Sequence, residues 1–113
     1  MVARNKLQTA PPYQVEHALM RLGENLRTAR TRRNITVQEA ASRIGTGPRA
    51  VMDAEKGKAS TGIVVYAALL WLYGLLQPLE ETADPLKDSE GVALEALRSR
   101  TRARRSRGLS NDF

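Results

Sequence analysis

The sequence predicts an all-α fold: a five-helix domain with a flexible N-terminal arm and a basic C-terminal tail. Three observations predict it. Apolar residues recur at steps of three and four, as in Val15, Leu19, Leu22, Leu26 and Ala29, which is the period of an amphipathic helix. Helix stops and starts fall between the periodic stretches, at Asn34, at Gly45-Thr46-Gly47-Pro48, at Gly57 and at Gly74. From Leu86 the chain turns charged and poor in large apolar residues.

Pro11-Pro12 closes a polar arm, residues 1–12, and a first helix begins between Tyr13 and Leu22. Gly23 interrupts its pattern and weakens it by about 1 kcal/mol relative to alanine. Arg27, Arg30, Arg32 and Arg33 complement the negative end of the helix dipole, and Asn34 is a C-terminal cap. Thr36 opens a second helix, with Glu39 at capping-box spacing so that each side chain satisfies a free backbone N–H. Val37, Ala40, Ala41 and Ile44 form its inner face. Gly45 to Gly47 make a turn, Pro48 suits the first position of a third helix, and that helix runs to about Lys56 with Val51 and Ala54 inward. Ser60 or Thr61 caps a fourth helix ending at Tyr73 and Gly74. A short fifth element, Leu75 to Ala83, is interrupted by Pro78. Pro85 marks a boundary, so the domain spans 13–84 and a charged linker and tail span 85–113. A short helix from Ser89 to Leu97 is possible within a tail otherwise expected to be disordered.

The 113 residues carry a formal net charge of +6, and the isoelectric point is about 10.3. That balance favours anionic partners, nucleic acid or anionic lipid. Cysteine is absent, which excludes disulfides and cysteine-containing zinc sites and suits a cytoplasmic location. Met1 to Pro12 lacks a signal-peptide pattern. The longest uncharged apolar run, Ile63 to Leu76, is shorter than the roughly 18 residues of a membrane span, so a soluble protein is expected. The single histidine, His17, has no evident acid or nucleophile beside it, and no glycine loop of nucleotide-binding type is present. No enzyme activity, cofactor or metal is therefore expected. The acids Glu80, Glu81, Asp84, Asp88 and Glu90 match no calcium-loop spacing and read as a solvated linker.

Two short helices joined by a tight glycine-containing turn and backed by a longer helix form a helix-turn-helix. Ala40 and Ala41 are small enough for the two to cross closely, and Gly45 supplies the positive φ of the turn. The third helix then projects where a major groove about 12 Å wide can receive it. The stretch from Leu22 to Leu76, with LGENLRTARTRRNITVQEAASRIG and then TGPRAVMDAEKGK, resembles the Cro/lambda-repressor type of helix-turn-helix domain, the XRE family. Ala41, Gly45, Val51, Glu55 and Gly57 stand where that family expects them. The following GLLQPLEETADPLKDSEG resembles the HipB-like antitoxin regulators that accompany HipA-type kinase toxins, which implies a kinase-like toxin as a partner.

The resemblance assigns roles position by position. Pro48, Arg49, Met52 and Asp53 take groove-facing positions as base contacts, with Arg49 the strongest reader because arginine bonds guanine O6 and N7 together. Asp53 either accepts from a cytosine amino group or orients Arg49. Thr36, Val37, Gly47, Lys56 and Lys58 take phosphate-facing positions, although Val37 stands where the family usually has glutamine. Arg30 and Glu55 are expected to pair, to fix the third helix against the first and to present Arg30 near the phosphates.

The fourth helix carries two apolar stripes. Ile63, Tyr66, Ala67, Leu70 and Tyr73 suffice to pack it on the core. Val64, Ala68, Trp71 and Leu75 form a second stripe, which a domain of this size cannot cover alone. A homodimer interface anchored by Trp71 is expected, the alternative being that the arm or tail folds over it. Such a dimer would need an inverted-repeat operator. In the tail, Arg98, Arg100, Arg102, Arg104, Arg105 and Arg107 are expected to neutralise phosphates without reading sequence. The expected function is a sequence-specific, double-stranded DNA-binding repressor, autoregulatory and of antitoxin type. The alternative is a protein-interaction module on the same scaffold. An RNA binder is disfavoured by an aromatic content of 4%.

Overall fold

The structure, a computed structural model, describes residues 5–111, and side chains for residues 5–106. Every regular element among them is helical: α1 (Lys6–Thr9), α2 (Tyr13–Arg32), α3 (Val37–Ile44), α4 (Pro48–Glu55), α5 (Ile63–Leu72), α6 (Gln77–Glu80) and α7 (Ser89–Asn111). The chain divides into two units, Met1–Leu79 and Glu80–Phe113, so the first ends somewhat before Pro85.

In the first unit, α2 starts directly after Pro12 and continues through Gly23 without interruption. The reason lies in its neighbour. A Cβ at Gly23 would sit 2.5 Å from the Glu55 carbonyl oxygen and 2.7 Å from that of Ala54, so the missing side chain lets α4 lie directly against α2. Gly57 completes the contact from the other side: a Cβ there would meet the Leu19 carbonyl oxygen at 2.5 Å. Gly57 also has φ +70°, which ends α4 in the left-handed region. Gly23 is thus a packing residue, and the loss of helix propensity is the smaller effect.

The other boundaries follow local chemistry. Asn34 adopts φ 53° and ends α2, with the Ile35 N–H donating to the Arg30 carbonyl at 3.2 Å. Thr36 Oγ1 accepts from the Glu39 N–H at 3.1 Å and caps α3. The reciprocal half of the expected capping box differs, because the Glu39 carboxylate accepts from the Thr36 hydroxyl at 3.3 Å. Gly45, at φ 84°, closes α3, and Gly47 precedes Pro48 at the start of α4. Within the expected flexible arm, Asn5 Oδ1 accepts from the Leu7 N–H at 2.9 Å and caps the single turn α1. Residues 1–4 of that arm lie outside the described residues.

The core comprises Leu26, Ala29, Ala40, Ala41, Val51, Ala54, Tyr66, Leu69 and Tyr73. Four alanines bring α2, α3 and α4 into close approach, while Leu26 and Leu69 fill the centre. Two expectations for α5 are corrected. Gly62, not Ser60 or Thr61, stands at its N-cap, with no side-chain hydrogen bond. Ile63 is 73% exposed. The buried row steps from Tyr66 to Leu69 to Tyr73, and Ile63, as the first residue of α5, stands past the edge of the core. Pro78 does not interrupt the next element; it lies in the first turn of α6, where a proline costs little.

The two core tyrosines differ. The Tyr66 hydroxyl donates to the Lys58 carbonyl at 3.0 Å, whereas the Tyr73 hydroxyl is buried without a hydrogen-bond partner among the described residues. Burial pushes both phenols above their ordinary range. A buried hydroxyl without a partner keeps its desolvation cost. Tyr73→Phe is therefore expected to leave stability unchanged or raise it by up to about 1 kcal/mol, while Tyr66→Phe lowers it by about 1 kcal/mol. Urea denaturation of the two variants checks this; a loss above ~1 kcal/mol for Tyr73→Phe would contradict the assignment.

The second unit departs most from expectation. In place of a disordered tail, α7 runs from Ser89 to Asn111. Asp88 caps it, accepting from the Gly91 N–H at 3.0 Å. Glu90 and Glu95 lie toward its positive end and the arginines toward its negative end, so the charge order follows the helix dipole. The acids expected as a solvated linker have local structural tasks: Asp84 accepts from the Leu86 N–H at 2.9 Å, and Glu81 lies 3.6 Å from Lys87 Nζ.

Candidate nucleic-acid interface

The surface of interest is the outer side of α4. Its inner side is fixed by Val51 and Ala54, both fully buried. Its C-terminal end is held by an ion pair of bidentate form: Arg30 Nε donates to Glu55 Oε2 at 2.7 Å and Nη2 to Oε1 at 3.1 Å. The remaining Nη1 donates to the Ile35 carbonyl at 3.0 Å, so one guanidinium ties α2, the α2–α3 turn and α4 together. Both side chains are largely shielded, at 12% and 9% exposure. The hydrogen bond to Glu55 holds the Arg30 guanidinium above its ordinary range against the opposing effect of burial. Arg30 is thus turned inward, and the expected presentation of its charge toward phosphates is not what the geometry gives.

The outer row of α4 is open. Arg49 is 78% exposed, and Pro48, Met52 and Lys56 are also exposed. Asp53 is not equivalent to them. Its side chain is only 22% exposed, and Oδ1 lies 3.5 Å from Arg49 Nε and 3.4 Å from Lys58 Nζ. That oxygen is buried and makes no well-aligned hydrogen bond to either cation. Of the two roles expected for Asp53, the geometry is nearer to pairing with Arg49, and Lys58 shares the same oxygen.

Among the residues expected at the phosphates, Gly47 is exposed at the N-cap of α4, and Lys56 is exposed at its C-cap. The Thr36 hydroxyl is occupied in capping α3. Val37 is half-buried and packs against the core, leaving its backbone at the start of α3. A groove of about 300 Å³ runs between α2, the start of α3 and α4, lined by Arg27, Arg30, Val37, Met52, Glu55 and Lys56. Arg27, which the sequence marks only as a dipole partner, belongs to this groove. Its position three residues before Arg30, on the same face of α2, was the available signal.

Elsewhere in the first unit, Arg33 donates to the Ala29 carbonyl at 2.9 Å and to the Tyr73 carbonyl at 3.0 Å. It also lies 5.6 Å over the Tyr73 ring, joining the ends of α2 and α5. On α5, Val64 and Trp71 are 72% and 61% exposed and Ala68 is half-buried, whereas Leu75, expected on the same stripe, is exposed but lies beyond the end of α5 at Leu72. His17 neighbours the Tyr13 ring at 6.2 Å between centroids. Among the described residues, no group of three or more histidines or acids has metal-holding geometry. None of their helices is long and apolar enough to cross a membrane. Arg98, Arg100, Arg102, Arg104 and Arg105 are exposed on α7, and the side chain of Arg107 lies outside the described residues. Comparison of the chain with protein-family models, curated proteins and solved structures finds no match.

Proposed function

We propose that the first unit is a helix-turn-helix module of Cro/lambda-repressor type that binds double-stranded DNA in a sequence-dependent manner as a homodimer and acts as a transcriptional repressor. One observation carries the reading. The row Pro48, Arg49, Met52 is exposed on a short helix whose opposite side is fully buried and whose end is fixed by the Arg30–Glu55 pair. Reading base edges requires a projecting helix held still by its neighbours. Lys56 and Arg27 flank it with positive charge suited to phosphates. The antitoxin role, with a HipA-like kinase partner, rests on the sequence resemblance alone.

Selection of bound sequences from random duplexes is the direct test. An inverted repeat is expected, with half-sites about one helical turn apart, roughly 34–36 Å. Arg49→Ala is expected to lower affinity for the selected site by about 1–3 kcal/mol while sparing affinity for random DNA. Equal losses on both would remove Arg49 as a reader. Failure to enrich any sequence would favour a protein-interaction module instead.

The dimer reading rests on the exposed stripe of α5. Trp71→Arg is expected to convert the dimer to monomer in sedimentation equilibrium, since a charge in place of the anchoring aromatic is unpaired at the interface. A variant with the mass of the parent would count against this interface.

A further inference from the structure

The arginine segment of α7 is helical, and helicity gives its charges an arrangement that a disordered tail lacks. At about 100° per residue, Arg98, Arg102 and Arg105 share one row. Arg100 and Arg104 form a second row, roughly 150° away around the axis. The wider of the two arcs between these rows, roughly 210°, holds Ser99, Ala103 and Ser106, all small, and the narrower holds Thr101. From Arg98 to Arg105 there is no acidic residue, and among the described residues no carboxylate pairs with any of the five arginines. This contrasts with Arg30, Arg43 and Arg49 of the first unit, which all lie near carboxylates.

A slim face bordered on both sides by cations matches a groove with an anionic wall on each side. We infer that α7 is a second DNA-binding element, which lies in the major groove of duplex DNA with Ser99, Ala103 and Ser106 toward its floor and the two arginine rows on the phosphates of opposite strands. The B-form major groove, about 12 Å wide, accepts a helix, whereas the deep, narrow groove of A-form RNA does not. A membrane surface is a poorer match, because no apolar face runs along Arg98–Arg105 to enter lipid. The small residues offer no side chain that discriminates bases strongly, so this element binds duplexes without marked preference. It shares its ligand with the proposed reading of α4 but uses a different surface and a different unit.

The test uses the full chain and three variants on random duplex DNA. Replacing Arg98, Arg100, Arg102, Arg104 and Arg105 with glutamine keeps helix propensity and removes the charge. The salt dependence of binding should flatten by up to ~4.5 in log–log slope, about 0.9 for each of the five contacts. Ala103→Pro keeps every charge and ends the helix, and Ala103→Phe keeps charge and helix but fills the slim face. Each is expected to weaken binding about tenfold at moderate salt. Circular dichroism verifies the helix content of each variant. Unchanged affinity in both Ala103 variants would overturn the inference, because a charge run alone would explain the binding. Equal affinity of the parent for duplex RNA, or tighter binding to phosphatidylserine vesicles than to DNA, would overturn it too. Failure here is separable from failure of the α4 reading: the α7 variants lower affinity for all duplexes alike, while Arg49→Ala changes the preference among them.

Discussion

Gly57→Ala is expected to destabilise the first unit by about 3 kcal/mol, and Gly23→Ala by about 2 kcal/mol. Both follow from one contact. At Gly57 a side chain meets two costs, the left-handed backbone at φ +70° and a Cβ 2.5 Å from the Leu19 carbonyl oxygen. At Gly23 the backbone is ordinary helix, and alanine recovers about 1 kcal/mol of propensity there. That gain is outweighed because the clashing atoms are the carbonyls of Ala54 and Glu55, which cannot swing aside as a side chain would. The close packing of α2 on α4 must open. For a domain of this size each kcal/mol moves the midpoint by roughly 4–8 °C, so thermal unfolding should show a fall of more than about 10 °C for Gly57→Ala. An unchanged midpoint in both variants would mean that α2 and α4 do not approach as described.

Removing Glu55 is expected to have an effect of similar size. In Glu55→Ala the Arg30 guanidinium loses two of its three hydrogen bonds while remaining largely shielded from water. Breaking one partner of a buried pair costs about 3 kcal/mol, because a charge is left uncompensated. Replacing both residues with methionine should cost much less than the sum of the single changes, since the charge and its compensation leave together. Denaturant titration of Arg30→Met, Glu55→Met and the double variant closes the cycle. Additive losses would show that the pair contributes no coupling.

How much of this was legible in the sequence depends on how local the cause is. The start of α3 at Thr36, the stop at Gly45 and the start of α4 at Pro48 rest on caps and turn residues within a few positions, and they appear where expected. Asn34 does as well. In the sequence Gly23 is only a weakness in a helix, because its partner, the end of α4, is some thirty residues away and nothing nearby announces it. Periodicity points Ile63 inward, since it identifies a stripe but not where along the helix the core ends. In α7, low apolar content argued for disorder, whereas the Asp88 cap, the favourable charge order and the helix propensity of arginine and alanine argue for helix. At the candidate interface, chain order revealed the outward row of α4. It did not reveal that Asp53 would have a buried oxygen facing Lys58 as well as Arg49, a three-body arrangement that spacing along one helix cannot encode.

The anchoring of α4 has a bearing on inheritance. Val51, Ala54 and Glu55 hold the helix in place, while Arg49 and Met52 are exposed. On the proposed function, changes at the latter two positions alter what the surface offers DNA while the anchoring contacts of α4 stay in place. A lineage built on this scaffold is free to explore new targets by small steps, without having to rediscover a folded protein at each one.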